Sequence, residues 1–161
     1  MTSIEIPGIT LRAWARAWNE NWKNSFIQQF RGVEENQFVL RTHARDKTGE
    51  WWINFPSVIL ETKRKWTPEK EQPGVVKQSK RLLENQKITS ITQHGIDRIL
   101  IFELENGKII LELFGDGNWA LLDENDKIKA ILYARKWRAR TLAQGETYQF
   151  PPGPKAWDAL S

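Results

Sequence analysis

The sequence predicts an antiparallel α+β domain whose sheets are covered by two helices, and three observations lead to this prediction. Two segments place apolar residues three or four positions apart, which is the period of an amphipathic helix. Several short runs rich in β-branched and aromatic residues are separated by turn residues, as in antiparallel sheets. Two of these runs are joined by Asn106-Gly107, a dipeptide typical of a β-hairpin.

The composition is that of one globular domain and excludes several classes of protein. The chain has 161 residues, of which 40% are hydrophobic and 27% charged, enough for a sizeable core. It has no Cys, so disulfides, thiol nucleophiles and Cys-based zinc sites are excluded. His43 and His94 show no metal-binding spacing, so we expect no metal and no cofactor. No apolar run approaches the roughly 20 residues of a membrane span, and the N-terminus lacks a signal-peptide pattern. We therefore expect a cytoplasmic protein without a membrane partner.

The first helix is predicted over residues 10–23, with Thr10 as N-cap after Pro7-Gly8. Its apolar stripe consists of Leu11, Trp14, Ala15, Trp18 and Trp22 and extends to Phe26. A continuous stripe opposite a polar face favours packing across a sheet. The alternative is an exposed aromatic platform for nucleobases.

The remaining elements follow in order along the chain. Strands are predicted over 25–31, 37–42 and 50–55, and a short apolar run follows at 58–60. Residues 61–74 are charged, contain two prolines and lack periodicity, so we expect a mobile loop. A second helix is predicted over 75–85, with Val76, Leu82 and Leu83 on its inner side. The last strands are predicted over 87–92, 97–104, 108–114, 119–123 and 127–132.

Motifs for enzymatic chemistry are absent from the sequence. There is no phosphate-binding loop, no dinucleotide-binding fingerprint and no nucleophile elbow. Glu103, Glu105 and Glu112 fall on neighbouring predicted strands, where cross-strand ion pairs are more common than a general acid and base. We expect no catalytic residue and no small-molecule substrate.

Three features are candidates for binding. Asp97-Arg98 follows a break between two strands, where an arginine can form a bidentate clamp on phosphate or a base edge; a structural Asp-Arg bridge is the alternative. Residues 114–118, FGDGN, predict a bulged turn, or exposed amides that approach a nucleic-acid backbone. Six cations lie within residues 127–140, namely Lys127, Lys129, Arg135, Lys136, Arg138 and Arg140. With Trp137 as a stacking residue they form either a nucleic-acid surface, extended by residues 63–65 and 77–81, or a solvated face.

Several segments resemble the N-terminal domain of the NFACT family, which includes ribosome quality-control tailing factors and the so-called fibronectin-binding proteins of bacteria. Residues 93–99, QHGIDRI, are similar to the family's Q-x-G-x-D-R-I, and residues 111–118, LELFGDGN, to its L-E-L-F/Y-G-x-G-N. Residues 145–152, GETYQFPP, resemble its G-x-x-Y-x-x-P-P end. Gly8–Arg12 resembles the start of its first helix, and Leu122-Asp123 with Ile128 resembles one of its hairpins. The resemblance identifies residues 1–152 as such a domain and leaves 153–161 as a tail.

The resemblance implies a two-sheet β-sandwich flanked by two helices, similar to the N-terminal domain of formamidopyrimidine-DNA glycosylases. It implies a non-catalytic RNA-binding domain of ribosome quality control, with tRNA and the stalled large ribosomal subunit as partners. Asp97 and Arg98 match the family's tRNA-recognition pair and are therefore expected to recognise RNA. The residues expected to contact phosphates are Arg135, Lys136, Arg138 and Arg140.

Two other functions are less favoured. A glycosylase-like protein acting on DNA is disfavoured because Ile4 stands where those enzymes have their N-terminal proline, and an internal amide is not a nucleophile. A protein-interaction or adhesin module is disfavoured by the lack of an export signal. The family's further domains do not follow Pro152 here, so we expect an excised domain or a stand-alone form.

Overall fold

The computed structural model describes residues 7–152, which form two helices and two main antiparallel sheets. The first sheet has the strand order β1-β2-β3-β4 and the second the order β5-β6-β7-β8-β9. A short hairpin of β10 and β11 follows. The predicted α+β class and the two-sheet architecture are confirmed. The predicted tail, residues 153–161, and Ile4 lie outside the described residues.

The elements are α1 (Gly8–Trp22), β1 (Phe26–Glu34), β2 (Gln37–Ala44), β3 (Lys47–Asn54), β4 (Val58–Thr62), α2 (Gly74–Leu83), β5 (Ile88–Gln93), β6 (Ile99–Leu104), β7 (Gly107–Glu112), β8 (Asn118–Leu122), β9 (Ile128–Ile131), β10 (Arg135–Lys136) and β11 (Thr141–Leu142). Both sheets are meanders in which each strand pairs with the next. The hairpin predicted around Asn106-Gly107 is confirmed by the β6–β7 ladder.

Aromatic side chains join the two sheets across the core. Trp51 of β3 meets Phe102 of β6 edge to face at 5.7 Å. Phe30 of β1 stacks on Trp119 of β8 at 4.4 Å. Offset and edge-to-face aromatic pairs contribute stability beyond that of the apolar area they bury, so these contacts stabilise the packing of one sheet on the other.

The stripe of α1 closes this core, as predicted, but its predicted extension is wrong, because Phe26 lies in β1 and is exposed. Trp18 and Trp22 are buried and both meet Trp51, at 6.1 and 5.4 Å. Trp14 is only half-buried at the edge of the cluster. The core interpretation of the stripe is therefore confirmed for Trp18 and Trp22, and the exposed aromatic platform is wrong for these two side chains.

The predicted start of α1 is wrong. The helix begins at Gly8, Pro7 is the N-cap, and no side chain caps the first turn. Thr10 lies inside the helix, because Pro7 with its fixed φ already gives the chain the geometry needed to enter it.

Helix α2 differs from its prediction on one face. Val75, Val76 and Leu83 are buried as the inner side, but Leu82 is exposed. Leu82 and Leu83 are adjacent in sequence, and the side chains of adjacent helical residues point about 100° apart, so only one of the two can face the core.

No helix within residues 7–152 is long and apolar enough to cross a membrane.

The segment between β4 and α2, predicted to be a mobile loop, is anchored at two places. Trp66 stacks on Trp52, on the outer face of the first sheet, at 5.5 Å and 5°. At the β1 edge, Glu69 donates its backbone N–H to the carbonyl of Gly32, and the side chain of Gln72 bonds both polar groups of Gly32. The segment forms no helix or strand, as predicted. The anchors were not predicted, because they are long-range contacts that leave no periodicity in the sequence.

The second sheet is buried on both faces. Its inner face packs on the first sheet and the helices. On its outer face a second apolar cluster is completed by Leu142 and Tyr148 of the C-terminal segment. A doubly covered sheet needs apolar residues at successive positions, which explains the near-continuous apolar runs of β6, β7 and β8.

Candidate nucleic-acid interface

The Asp97-Arg98 pair lies in a tight turn at one end of the second sheet. The backbone N–H of Asp97 donates to the carbonyl of His94 at 3.1 Å, and the backbone N–H of His94 donates to the carbonyl of Ile99 at 3.0 Å. Strand β6 begins at Ile99, so the prediction that the pair opens the strand is wrong by two residues. Both side chains are half-buried at the end of the sheet.

This turn is fixed to the start of α1. The side-chain amide of Gln93 donates to the carbonyls of Gly8 and Asp97, at 2.9 and 2.6 Å. A Cβ atom at Gly8 would lie 2.4 Å from the carbonyl oxygen of Ile96. Only glycine allows this approach of helix and turn, so the backbone of the Asp97-Arg98 turn is held rigidly.

A second turn, residues 114–118, lies beside the first. The N–H of Leu113 donates to the carbonyl of Arg98 at 2.8 Å, which joins the two turns. Gly117 has φ +74, and a Cβ atom there would lie 2.6 Å from the Cα of Pro56. Gly115 also has a positive φ, but nothing lies within 4 Å of its Cβ position. Gly117 thus packs the turn against the connection between β3 and β4, whereas Gly115 faces open space.

Asn118 connects this turn to the basic hairpin. Its side-chain amide exchanges two hydrogen bonds with the backbone of Tyr133, at 2.9 and 3.0 Å. Two residues later β10 begins, and the hairpin turn is closed by the N–H of Trp137 donating to the carbonyl of Arg140 at 2.8 Å. Arg135, Lys136, Trp137 and Arg138 are exposed on this hairpin.

Arg140 does not belong to the exposed cations. Its guanidinium forms a bidentate ion pair with Glu112, at 2.8 and 2.9 Å, and both side chains are about 5% exposed. It also donates to the carbonyl of Gln149, and the hydroxyl of Tyr148 donates to Glu112 at 2.6 Å. Arg140 therefore positions the hairpin and the C-terminal segment, and this burial speaks against the phosphate contact expected of it.

The charges in this buried group are stabilised by one another. Burial alone would lower the pKa of Arg140, but the hydrogen bonds and charge of Glu112 outweigh it, and the pKa is raised. Burial, followed by the charge of Glu112, raises the pKa of Tyr148 well above its usual value. Arg140 accordingly stays charged and Tyr148 stays neutral, so each keeps its hydrogen bond to Glu112.

The C-terminal segment closes the arrangement. The ring of Phe150 stacks on His94 at 3.7 Å and meets Tyr148 edge to face at 5.2 Å. The two turns and the hairpin thereby meet at one end of the second sheet. We call this surface the loop face and define it as residues 94–98, 114–118 and 135–140.

The loop face carries more positive than negative charge. Its cations besides the buried Arg140 are Arg98, Arg135, Lys136 and Arg138, and its carboxylates are Asp97 and Asp116. Arg135 lies 3.8 Å from Asp116 and over the ring of Tyr133. Cations grouped on one surface attract a polyanion even when the net charge of a protein is modest.

A cleft of about 370 Å³ opens on the loop face, between the 114–118 turn, the hairpin and Pro151-Pro152. A larger groove of about 770 Å³ lies elsewhere, between β1, α2 and residues 68–72. Of the candidate residues the larger groove contains only Lys77 and Lys80, and none of the loop face; its cations alternate with Glu69, Glu71 and Glu84. The smaller cleft is therefore the one of functional interest.

The other predicted cations do not join the loop face. Lys127 and Lys129 flank the 123–127 turn at the opposite end of the second sheet, where Lys129 pairs with Asp123 at 3.6 Å. Residues 63–65 follow β4, whereas Lys77, Lys80 and Arg81 lie on α2 beside β1, and β1 and β4 are opposite edges of the first sheet. The predicted single basic surface is therefore smaller than expected.

Glu103 lies 3.9 Å from Lys108, which confirms the cross-strand ion pair.

Sequence reasoning missed the roles of three residues that build the site: Glu112, Asn118 and Tyr148. Glu112 carried a usable signal, because a charged residue between apolar neighbours on a doubly buried strand requires a buried partner. No comparable signal identified Arg140 or Tyr148 as that partner, since 28 and 36 residues separate them from Glu112.

Comparison with known proteins agrees with this architecture. The family model described as NFACT N-terminal and middle domains matches residues 7–161. The archaeal Rqc2 homolog aRqcH of Methanocaldococcus jannaschii is 39% identical over 77 residues, which cover 45% of this chain and 12% of that protein. The match thus spans a small part of the relative's length.

Two solved structures have the same fold. The N-terminal domain of the fibronectin-binding protein PavA from Streptococcus pneumoniae superposes with a TM-score of 0.84 at 20% identity, covering 96% of this chain and 68% of that one. The N-terminal part of the fibronectin/fibrinogen-binding protein of Streptococcus suis gives 0.85 at 22% identity, covering 93% and 62%. At this level of identity the likeness concerns the fold.

Proposed function

The chain belongs to the NFACT family, and from this premise we propose that it is a non-catalytic, cytoplasmic RNA-binding domain that recognises tRNA on a stalled large ribosomal subunit. The observation that carries the proposal is the loop face, where the Asp97-Arg98 turn, the 114–118 turn and the basic hairpin meet. No catalytic role is assigned to any of these residues.

The residues of the loop face have different roles in this proposal. Arg135, Lys136 and Arg138 are exposed on a hairpin and supply charge for phosphates, which carries no sequence information. Asp97 and Arg98 lie on a turn that is held by Gly8 and Gln93. An arginine fork on a turn whose backbone is held in this way can discriminate one RNA shape or base edge from another, so this pair supplies the recognition in the proposal.

We expect Arg138→Ala to weaken binding to every RNA alike. Loss of one phosphate contact should reduce the slope of log K against log salt by about 0.7–0.9. The matched control is Arg81→Ala, which removes an exposed arginine from α2 near the opposite end of the second sheet. The measurement is a salt titration of binding to total tRNA, single tRNAs and a random single strand. Equal slopes for the two variants would contradict the role of the hairpin.

Arg98→Ala should instead reduce the preference of the domain for one tRNA over other RNAs. We expect a loss of about 1–3 kcal/mol on the preferred tRNA and little change on the random strand. Arg98→Lys should not restore it, because a point charge does not replace a planar fork. If Arg98→Ala lowers the melting temperature but leaves the preference among RNAs unchanged, the pair is a structural bridge.

Two other functions are tested by the same experiment. Duplex DNA is included as a ligand because a glycosylase-like protein would bind it. Immobilised fibronectin serves as the ligand named for the structural neighbours, because a protein-interaction module of this fold would bind it. Binding of either at least as tightly as tRNA would favour that alternative over the RNA-binding domain.

A further inference from the structure

We propose that the cleft on the loop face holds one unpaired nucleobase, stacked on the indole of Trp137. This inference rests on the proposed function and adds to it a binding subsite for a single nucleotide. Its starting point is an exposed tryptophan beside a partly open cleft. Trp137 is 46% exposed and lines the cleft, whereas the core tryptophans of the two sheets, Trp51 and Trp119, are fully buried.

Trp137 is held as a platform. The guanidinium of Arg140 lies 4.8 Å from the centre of its ring, and that guanidinium is itself fixed by the ion pair with Glu112. A cation over one face of an indole is a favourable contact that also limits the ring's freedom. Base stacking needs such a pre-oriented aromatic face and tolerates any base, because every base has a π-face.

The walls of the cleft fit a base with a phosphate at the mouth. The lining is mainly apolar, with Phe114, Pro151 and Pro152 among its members. Arg135 also lines it, next to the exposed carboxylate of Asp116. An apolar interior suits the plane of a base, and a cation at the rim suits the phosphate attached to it.

The size of the cleft limits the ligand. A volume of about 370 Å³ is near the lower end of the roughly 300–1,000 Å³ of small-molecule sites. A base-paired helix cannot enter a space of this size, whereas a nucleotide turned out of a loop or strand end can. Sequence-specific recognition of RNA typically uses such splayed, unstacked bases on aromatic side chains.

The first test uses single nucleotides as probes. Adenosine and uridine 5′-monophosphate are titrated into the full chain, and the indole N–H resonances are followed by NMR, with that of Trp137 assigned from Trp137→Phe. We expect the Trp137 resonance to shift and saturate while those of Trp51 and Trp119 stay in place. If no Trp137 shift appears at millimolar nucleotide, the cleft does not hold a base.

The second test separates base from phosphate. A short single-stranded RNA is compared with the same ribose-phosphate strand without bases. Trp137→Ala should weaken binding of the RNA by about 5- to 150-fold, the equivalent of one stacked base, and leave binding of the baseless strand unchanged. The matched control is Trp66→Ala, since Trp66 also carries an arginine on its ring, Arg64 at 4.4 Å, but lies on the first sheet.

Each outcome decides between the two proposals. If wild type binds RNA and Trp137→Ala binds both strands as wild type does, the cleft inference is overturned and the RNA-binding function stands. If Trp137→Ala weakens both strands equally, the indole acts on the phosphate surface and the base pocket is again overturned. If wild type binds neither strand, the proposed function fails, and the mononucleotide titration alone decides what the cleft holds.

Discussion

Arg140→Met is expected to lower the free energy of unfolding by about 3–5 kcal/mol, because it leaves the carboxylate of Glu112 buried without its charge partner. The loss should exceed that of a surface ion pair, since both side chains are about 5% exposed. The Arg140 contacts to Glu112 and the Gln149 carbonyl, at 2.8–2.9 Å, are lost together. Equilibrium urea unfolding followed by fluorescence measures the effect.

The double variant Glu112→Leu with Arg140→Met is the matched control. It removes both charges and keeps an apolar filling, so most of the lost stability should return. A loss below about 1 kcal/mol for the single variant, the scale of exposed ion pairs, would contradict a stabilising role of the buried Arg140–Glu112 ion pair. So would a double variant that is no more stable than Arg140→Met alone.

Trp18→Ala is expected to cost about 3–5 kcal/mol of unfolding free energy, because it opens a large cavity in the main core. The indole of Trp18 is buried and meets Trp51 edge to face at 6.1 Å. Trp14→Ala, on the same helix but half-buried, should cost clearly less. Denaturant melts of the two variants measure the difference. A Trp18→Ala loss within about 1 kcal/mol would place the stripe at the surface, and equal losses would contradict the difference in burial between the two side chains.

The strands and the core face of α1 were predictable from sequence because their signals are local. The stripe through Trp18 and Trp22 has the helical period, and the β6–β7 hairpin has its turn dipeptide. The start of α1 was not predictable in the same way. Thr10 fits an N-cap by residue type, but Pro7 already sets the entry to the helix, and the type of a residue does not show which candidate cap is used.

The candidate site was predictable in its parts and not in its assembly. The turns at 94–98 and 114–118 and the cations of the hairpin are all visible in sequence, yet Arg140 was grouped with the exposed cations. Its burial depends on Glu112 and Tyr148, which are 28 and 8 positions away from it. The same holds for the loop that Trp66 and Gln72 fix to the first sheet. Contacts at long sequence separation leave no periodic pattern.

Whether RNA binds at the loop face is tested most directly by mapping backbone amide resonances of the protein with and without tRNA. We expect the shifted and broadened amides to cluster at residues 94–98, 114–118 and 135–140, and to return to their free positions at high salt, as phosphate binding requires. Amides of the groove between β1 and α2 should stay unchanged. Perturbations centred on that groove, with an unaffected loop face, would contradict the account.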